Sequence, residues 1–122
     1  MDDITKVKSY LLSKNGAEES YPFGPDAMVI KVKNKMFAIA SEQEDLVHIN
    51  LKCDPNEAQA LRDIFDCVKP GYHMNKKHWN TVHVPGDVPD GEVKRMIDNS
   101  YALVVKGLTK AVRAELNGDV DT

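Results

Sequence analysis

The sequence predicts an α+β fold of two layers, an antiparallel sheet of five strands with helices on one face, in the order α-β-β-β-α-β-β-α. Three observations carry this prediction. Apolar residues alternate with period two across 27–40 and again across 46–52, the mark of strands with one buried face. Apolar residues recur at helical spacing near the start, at 54–68 and over 93–112. The early strands are joined by connections too short for the crossovers that parallel pairing needs.

Taken in order, residues 2–15 set Ile4, Val7, Leu11 and Leu12 on one helical stripe, with Asp2 and Asp3 at the start and Asn15-Gly16 at the end. Acids suit the positive end of the helix dipole, and glycine accepts the left-handed geometry that stops a helix. The prolines of YPFGPD (21–26) forbid regular helix, so this segment is expected to turn, with Tyr21 and Phe23 covering a core edge. Residues 27–40 read as a hairpin around Asn34-Lys35, with Met28, Ile30 and Val32 inward and Lys31 and Lys33 outward. After an acidic connector (Glu42, Glu44, Asp45), LVHINLK places Val47, Ile49 and Leu51 inward and His48, Asn50 and Lys52 outward.

Asp54-Pro55-Asn56-Glu57 has a capping aspartate, proline in the first turn and an acid three residues on, which is a helix start. Leu61, Ile64, Phe65 and Val68 continue it in phase until Pro70-Gly71. A short extended piece is expected around Tyr72–Met74, and a better strand at Trp79–Val84 with Val82 and Val84 inward. The last stripe runs from Val93 to Val112, with Asp98-Asn99-Ser100 as the weak spot where one helix becomes two. Residues 1–117 are read as a single domain and 118–122 as a frayed tail.

Function concentrates between Cys67 and Gly86. This window holds Lys69, Lys76 and Lys77, three of the four histidines (His73, His78, His83) and the only tryptophan, with no carboxylate, in a chain of net charge −3. A basic, aromatic island in an acidic protein is a place for a partner. Lysine contacts phosphate, while Trp79, Tyr72 and the histidines can stack on bases. The outward sheet residues Lys31, Lys33, His48, Asn50, Lys52, Thr81 and His83 extend the island, and on this reading that face carries no acid. The bland alternative is a solvated loop with Trp79 and Tyr72 in the core.

Other chemistries find little support. The histidines lack the tight pairs or HExxH spacing of zinc sites. Cys53 and Cys67 have no nucleophile signature and read as reduced structural thiols. No glycine-rich phosphate loop is present. The expectation is therefore no catalytic residues, no metal and no cofactor. The apolar runs are too short to span a membrane and the start is not that of a signal peptide, so a cytoplasmic monomer is expected.

The segments YPFGPDAMVIKVKNKMFAI, INLKCDP, PGYHMNKKHWNTV and VPDGEVKRMIDNSYALV closely resemble the MmcQ/YjbR family of small bacterial proteins. The resemblance runs from about Tyr21 to Val105, with Asn34 where the family's hairpin glycine is expected. It implies a two-layer α/β fold with an antiparallel sheet, likened to a double-wing DNA-binding motif and to secretion-chaperone and frataxin-like folds. It defines no catalytic residues. Two functions follow as expectations: DNA binding through Lys69, Tyr72, His73, Lys76, Lys77, His78, Trp79, Thr81 and His83 together with Lys31, Lys33 and Lys52, or a protein-interaction or chaperone-like role for the same sheet face.

Overall fold

Six antiparallel strands form one sheet in the computed structural model, which describes residues 3–71 and 75–116. The elements are α1 (Ile4–Leu12), β1 (Ala17–Ser20), β2 (Met28–Val32), β3 (Lys35–Gln43), β4 (Leu46–Lys52), α2 (Pro55–Ile64), β5 (Val68–Pro70), β6 (Trp79–Val84), α3 (Asp90–Lys106) and α4 (Lys110–Leu116). Strand order is β1-β2-β3-β4-β6-β5, so β6 slots between β4 and β5 after the chain has crossed through α2. The expected extended piece at Tyr72–Met74 and the tail at 118–122 lie outside the described residues.

The α+β class and the antiparallel sheet are as the sequence predicts, with one strand more. β5 (Val68–Pro70) stands where helix was expected, and β1 is unforeseen as well, its sequence AEES carrying no apolar alternation that could announce it. β1 forms because Gly16, at φ +76°, turns the chain back after α1 and lays Ala17–Ser20 along β2. The two hairpins β2–β3 and β3–β4 close on Lys33-Asn34 and Glu44-Asp45, all four residues with positive φ. Two-residue loops of this kind match the strand twist. The first turn thus sits one residue earlier than Asn34-Lys35.

Strand phase follows the alternation. Val47, Ile49 and Leu51 of β4 and Val82 and Val84 of β6 are buried, while their neighbours along each strand are only half-covered. A bulge after Ile30 changes the phase of β3: Ile30 pairs with Ala38 but Lys31 pairs with Met36, leaving Phe37 as the extra residue. Phe37 and Ala38 are in consequence both buried, and Phe37 is among the largest fully enclosed side chains. Val7 and Leu11 of α1, Ala58 and Leu61 of α2, and Val93, Ile97 and Val104 of α3 close the core over the inner sheet face.

Several expectations are corrected. Helix α2 stops at Ile64, which is 67% exposed and not in the core, and Phe65 is extended. The Asp87 carboxylate ends it from across the chain by accepting the backbone N–H groups of Asp66 (2.7 Å) and Cys67 (3.0 Å), after which Val68 joins the sheet. Tyr21 and Phe23 are exposed and cover no core edge. Helix α3 runs unbroken through Asp98-Asn99-Ser100 and breaks only after Lys106. Its polar residues have tertiary partners: Asp98 accepts from Tyr10 and pairs with Lys14, tying α3 to α1. Ser100, fully buried, accepts the Lys52 backbone N–H at 2.9 Å and donates to the Phe37 carbonyl at 2.6 Å, bridging the point where the β3–β4 ladder opens.

Asp87 gives a pH-dependent term. The Cys67 thiol, followed by the Cys67 and Asp66 N–H groups, holds its carboxyl at about 2, below the ordinary 3.8. A carboxylate lowered on folding stabilises the native state above its unfolded value, and that contribution is lost as pH falls through the folded value. Acid unfolding of Asp87→Asn is therefore expected to lose part of its pH dependence between 3.8 and about 2. Coincident acid transitions for the two proteins would refute this role.

Candidate nucleic-acid interface

The outward face of the sheet is built from alternate residues of strands whose partners fix each side chain beside a known neighbour. Across β4 and β6, His48 stands opposite His83, Asn50 opposite Thr81, and Lys52 opposite Trp79. Lys69 of β5 is in register with Thr81. The Thr81 hydroxyl donates to Asn50 Oδ1 at 2.6 Å, and the imidazoles of His48 and His83 lie 4.3 Å apart, tilted by 51°. Trp79 is half-buried on this face and not part of the core cluster; its Cβ lies against Gly71, where a β-carbon would come within 2.9 Å. Glycine is required there by close approach.

The second part of the interface is a shallow groove of about 480 Å³ between α2, β5 and the turn before β6. Gln59 and Arg62 line it from α2, Val68, Lys69 and Pro70 from β5, and Lys76 and Lys77 from the turn. No carboxylate is among these residues. Asn75 shapes the turn, its side chain accepting the Lys77 N–H at 3.0 Å and its carbonyl the His78 N–H at 3.0 Å. The His78 carbonyl in turn accepts the Cys53 N–H at 2.7 Å, which anchors the turn to the end of β4. Arg62 braces it from the helix, donating to the Lys76 carbonyl at 3.1 Å.

Lys52, Trp79, Thr81 and His83 thus share the outward phase of β4 and β6, Lys69 joins them to Lys76 and Lys77 in the groove, His78 is exposed in the turn between, and Lys31 lies two strands away on β2, while Tyr72 and His73 lie outside the described residues. Two expectations about this face change. Lys33 sits in the hairpin turn and pairs with Glu115 of α4 at 3.6 Å, away from the outward face. The face is also not free of acid, because the unforeseen β1 sets Glu18 opposite Lys31. Arg62 and Gln59 are the residues that reading the window missed. Their three-residue spacing puts them on one side of α2, but only the packing of α2 beside β5 aims that side at the lysines.

Lys69 sets a positive charge beside His83. Burial, then the neighbouring His48 and Lys69, push its pKa below the ordinary imidazole value. The thiols are held protonated: burial, with Glu57 beside it, raises Cys53 to about 11, and burial raises Cys67 as well. Among the described residues, no group of three or more His, Cys, Asp or Glu side chains converges as a metal cage, and no helix is long and apolar enough to cross a membrane.

These features define a two-layer α+β domain that covers one sheet face with helices and leaves the β4–β6 part of the other half-exposed beside a basic groove. The chain belongs to the YjbR family, whose model matches residues 12–103. It is 36% identical over 110 residues to the uncharacterized protein YjbR of Escherichia coli K12, covering 90% of this chain and 93% of that one. It is 41% identical over 93 residues to the uncharacterized protein YbdF of Escherichia coli O157:H7, covering 76% of each. A crystal structure of a Deinococcus radiodurans protein with domain DUF419 superposes with a TM-score of 0.89 at 36% identity, over 96% of this chain and 89% of that one. A Pseudomonas syringae protein follows at 0.74 and 26% identity, over 83% and 97%.

Proposed function

We propose that this protein is a non-enzymatic nucleic-acid-binding module, a cytoplasmic monomer that seats a phosphate backbone in the basic groove and lays bases against the outward sheet face. The observation that supports this reading is the convergence of Arg62, Lys69, Lys76 and Lys77 on one groove with no carboxylate in its lining, in a protein whose net charge is −3. Charge of one sign gathered in a concave surface concentrates its field on a polyanion. Lys69 belongs both to the groove and to the sheet face, so a strand leaving the groove passes Thr81, Lys52 and Trp79 next. The hairpins β2–β3 and β3–β4 would serve as the wings that the family likeness implies.

Titration of labelled single- and double-stranded DNA over a range of salt tests the proposal. Four cations engaging a duplex give a slope of log affinity against log salt of about −3.6, and of about −2.8 for single strands. Trp79→Ala is expected to weaken single-strand binding by about 1–3 kcal/mol if the indole stacks on a base. Absence of binding at low salt, where electrostatic attraction is least screened, excludes the proposal.

A further inference from the structure

We infer that the His48–His83 pair is a proton-coupled seat for a phosphate oxyanion, so that ligand binding at this face takes up a proton and strengthens as pH falls. For its physiological ligand this rests on the nucleic-acid reading; the chemistry itself requires only a tetrahedral oxyanion. Two imidazoles fixed opposite one another on neighbouring strands, with ring centres 4.3 Å apart, cannot both carry charge without mutual repulsion. The adjoining elements add to that repulsion. From β5 comes Lys69, whose positive charge acts on His83, and just before it stands Cys67, whose carbonyl accepts the His83 backbone N–H at 2.9 Å and whose thiol burial keeps protonated. On β3 the residue opposite His48 is Ser41, which is uncharged.

The nearest carboxylates along the chain do not compensate. Asp87, after β6, is turned to the backbone N–H groups of Asp66 and Cys67. Asp66 itself is exposed just after α2, Glu42 of β3 is opposite Val47 on the inner phase, and Glu18 of β1 is opposite Lys31, three strands from the pair. The fixed charge that acts on His83 is accordingly the positive one of Lys69. An oxyanion placed over the two rings supplies the missing counter-charge. One imidazole then accepts a proton from solvent and donates an N–H to the anion, with Ser41, Lys69 and the Thr81–Asn50 pair at the margin.

The linkage has a definite sign. A group whose pKa rises on binding strengthens binding as pH falls, by up to about tenfold per pH unit for each proton taken up. Binding of a labelled oligonucleotide, compared at about pH 8 and about pH 6 at fixed ionic strength, is expected to tighten about tenfold or more at the lower pH. In His48→Gln/His83→Gln, folded by circular dichroism, the ratio of the two affinities falls to about one. A second measurement follows the imidazole C2 protons by NMR with and without sulfate, whose charge stays constant over this range, on the unsubstituted protein. Sulfate should raise the apparent pKa of the pair.

The outcomes separate the two readings. Oligonucleotide binding that is equal at both pH values, or a pH ratio that survives in the double variant, overturns the seat and leaves the nucleic-acid reading in place. No oligonucleotide binding together with a sulfate-dependent rise in the imidazole pKa supports the seat with a free oxyanion as its ligand and removes the nucleic-acid reading. Imidazoles unmoved by sulfate, with no oligonucleotide binding, overturn both.

Discussion

Reversing two charges, Lys69→Glu and Lys77→Glu, is expected on the proposed nucleic-acid reading to lower affinity for DNA roughly a hundredfold at low salt and to make the salt dependence shallower by about two units, because each lysine that contacts a phosphate contributes about one. Lys69 projects from the edge strand and Lys77 from the turn, both exposed and both lining the groove. Arg62 is left intact in this variant since it also braces the turn through the Lys76 carbonyl. Exposed substitutions away from caps and networks change stability by about 0.5 kcal/mol or less, so the melting temperature should hardly move. The loss should be uniform over sequences, since phosphate contacts carry no base information. Affinity and salt slope unchanged in the double variant would place the ligand elsewhere.

Phe37→Ala has the largest expected effect on stability, about 3–5 kcal/mol. The ring is fully buried and meets Tyr101 edge-on, with centroids 5.3 Å apart and planes at 82°. That geometry adds to what area burial alone provides. The Phe37 carbonyl also takes the Ser100 hydroxyl, so the cavity would open beside the hydrogen bonds by which Ser100 joins α3 to the gap in the β3–β4 ladder. Against a total stability of about 5–15 kcal/mol for an ordinary domain, the loss is a large share of the fold. Urea unfolding of the two proteins measures it; a difference under about 1 kcal/mol would mean that the bulge relaxes and lets the strand regain simple alternation.

Much of the scaffold was legible in the sequence, for reasons that are local. Alternation over 46–52 set the phase of β4 because a strand with one buried face can be read from period two alone, and the same holds for Trp79–Val84. Asp54-Pro55 set the start of α2, since a cap and a first-turn proline act within a few residues. These two strands are also what bring His48 beside His83 and Lys52 beside Trp79, so much of the outward face was readable once they were taken as neighbours.

What the sequence by itself determined is therefore the fold class, the phase of the central strands and the basic, aromatic character of the window. Tertiary structure decided the rest, because those features depend on residues far apart in the chain. Asp87 ends α2 by capping Asp66 and Cys67, which no helical periodicity can register, and Val68 then pairs in the sheet where its spacing predicts one more turn of helix. Asp98 and Ser100 read as helix breakers because their side chains compete for backbone hydrogen bonds; partners on α1, β3 and β4 remove that competition and α3 continues. β1 has no apolar pattern because its role as an edge strand is set by the free flank of β2. The basic groove likewise exists only because α2 packs beside β5 and carries Arg62 to the three lysines, a meeting that sequence distance conceals and packing imposes.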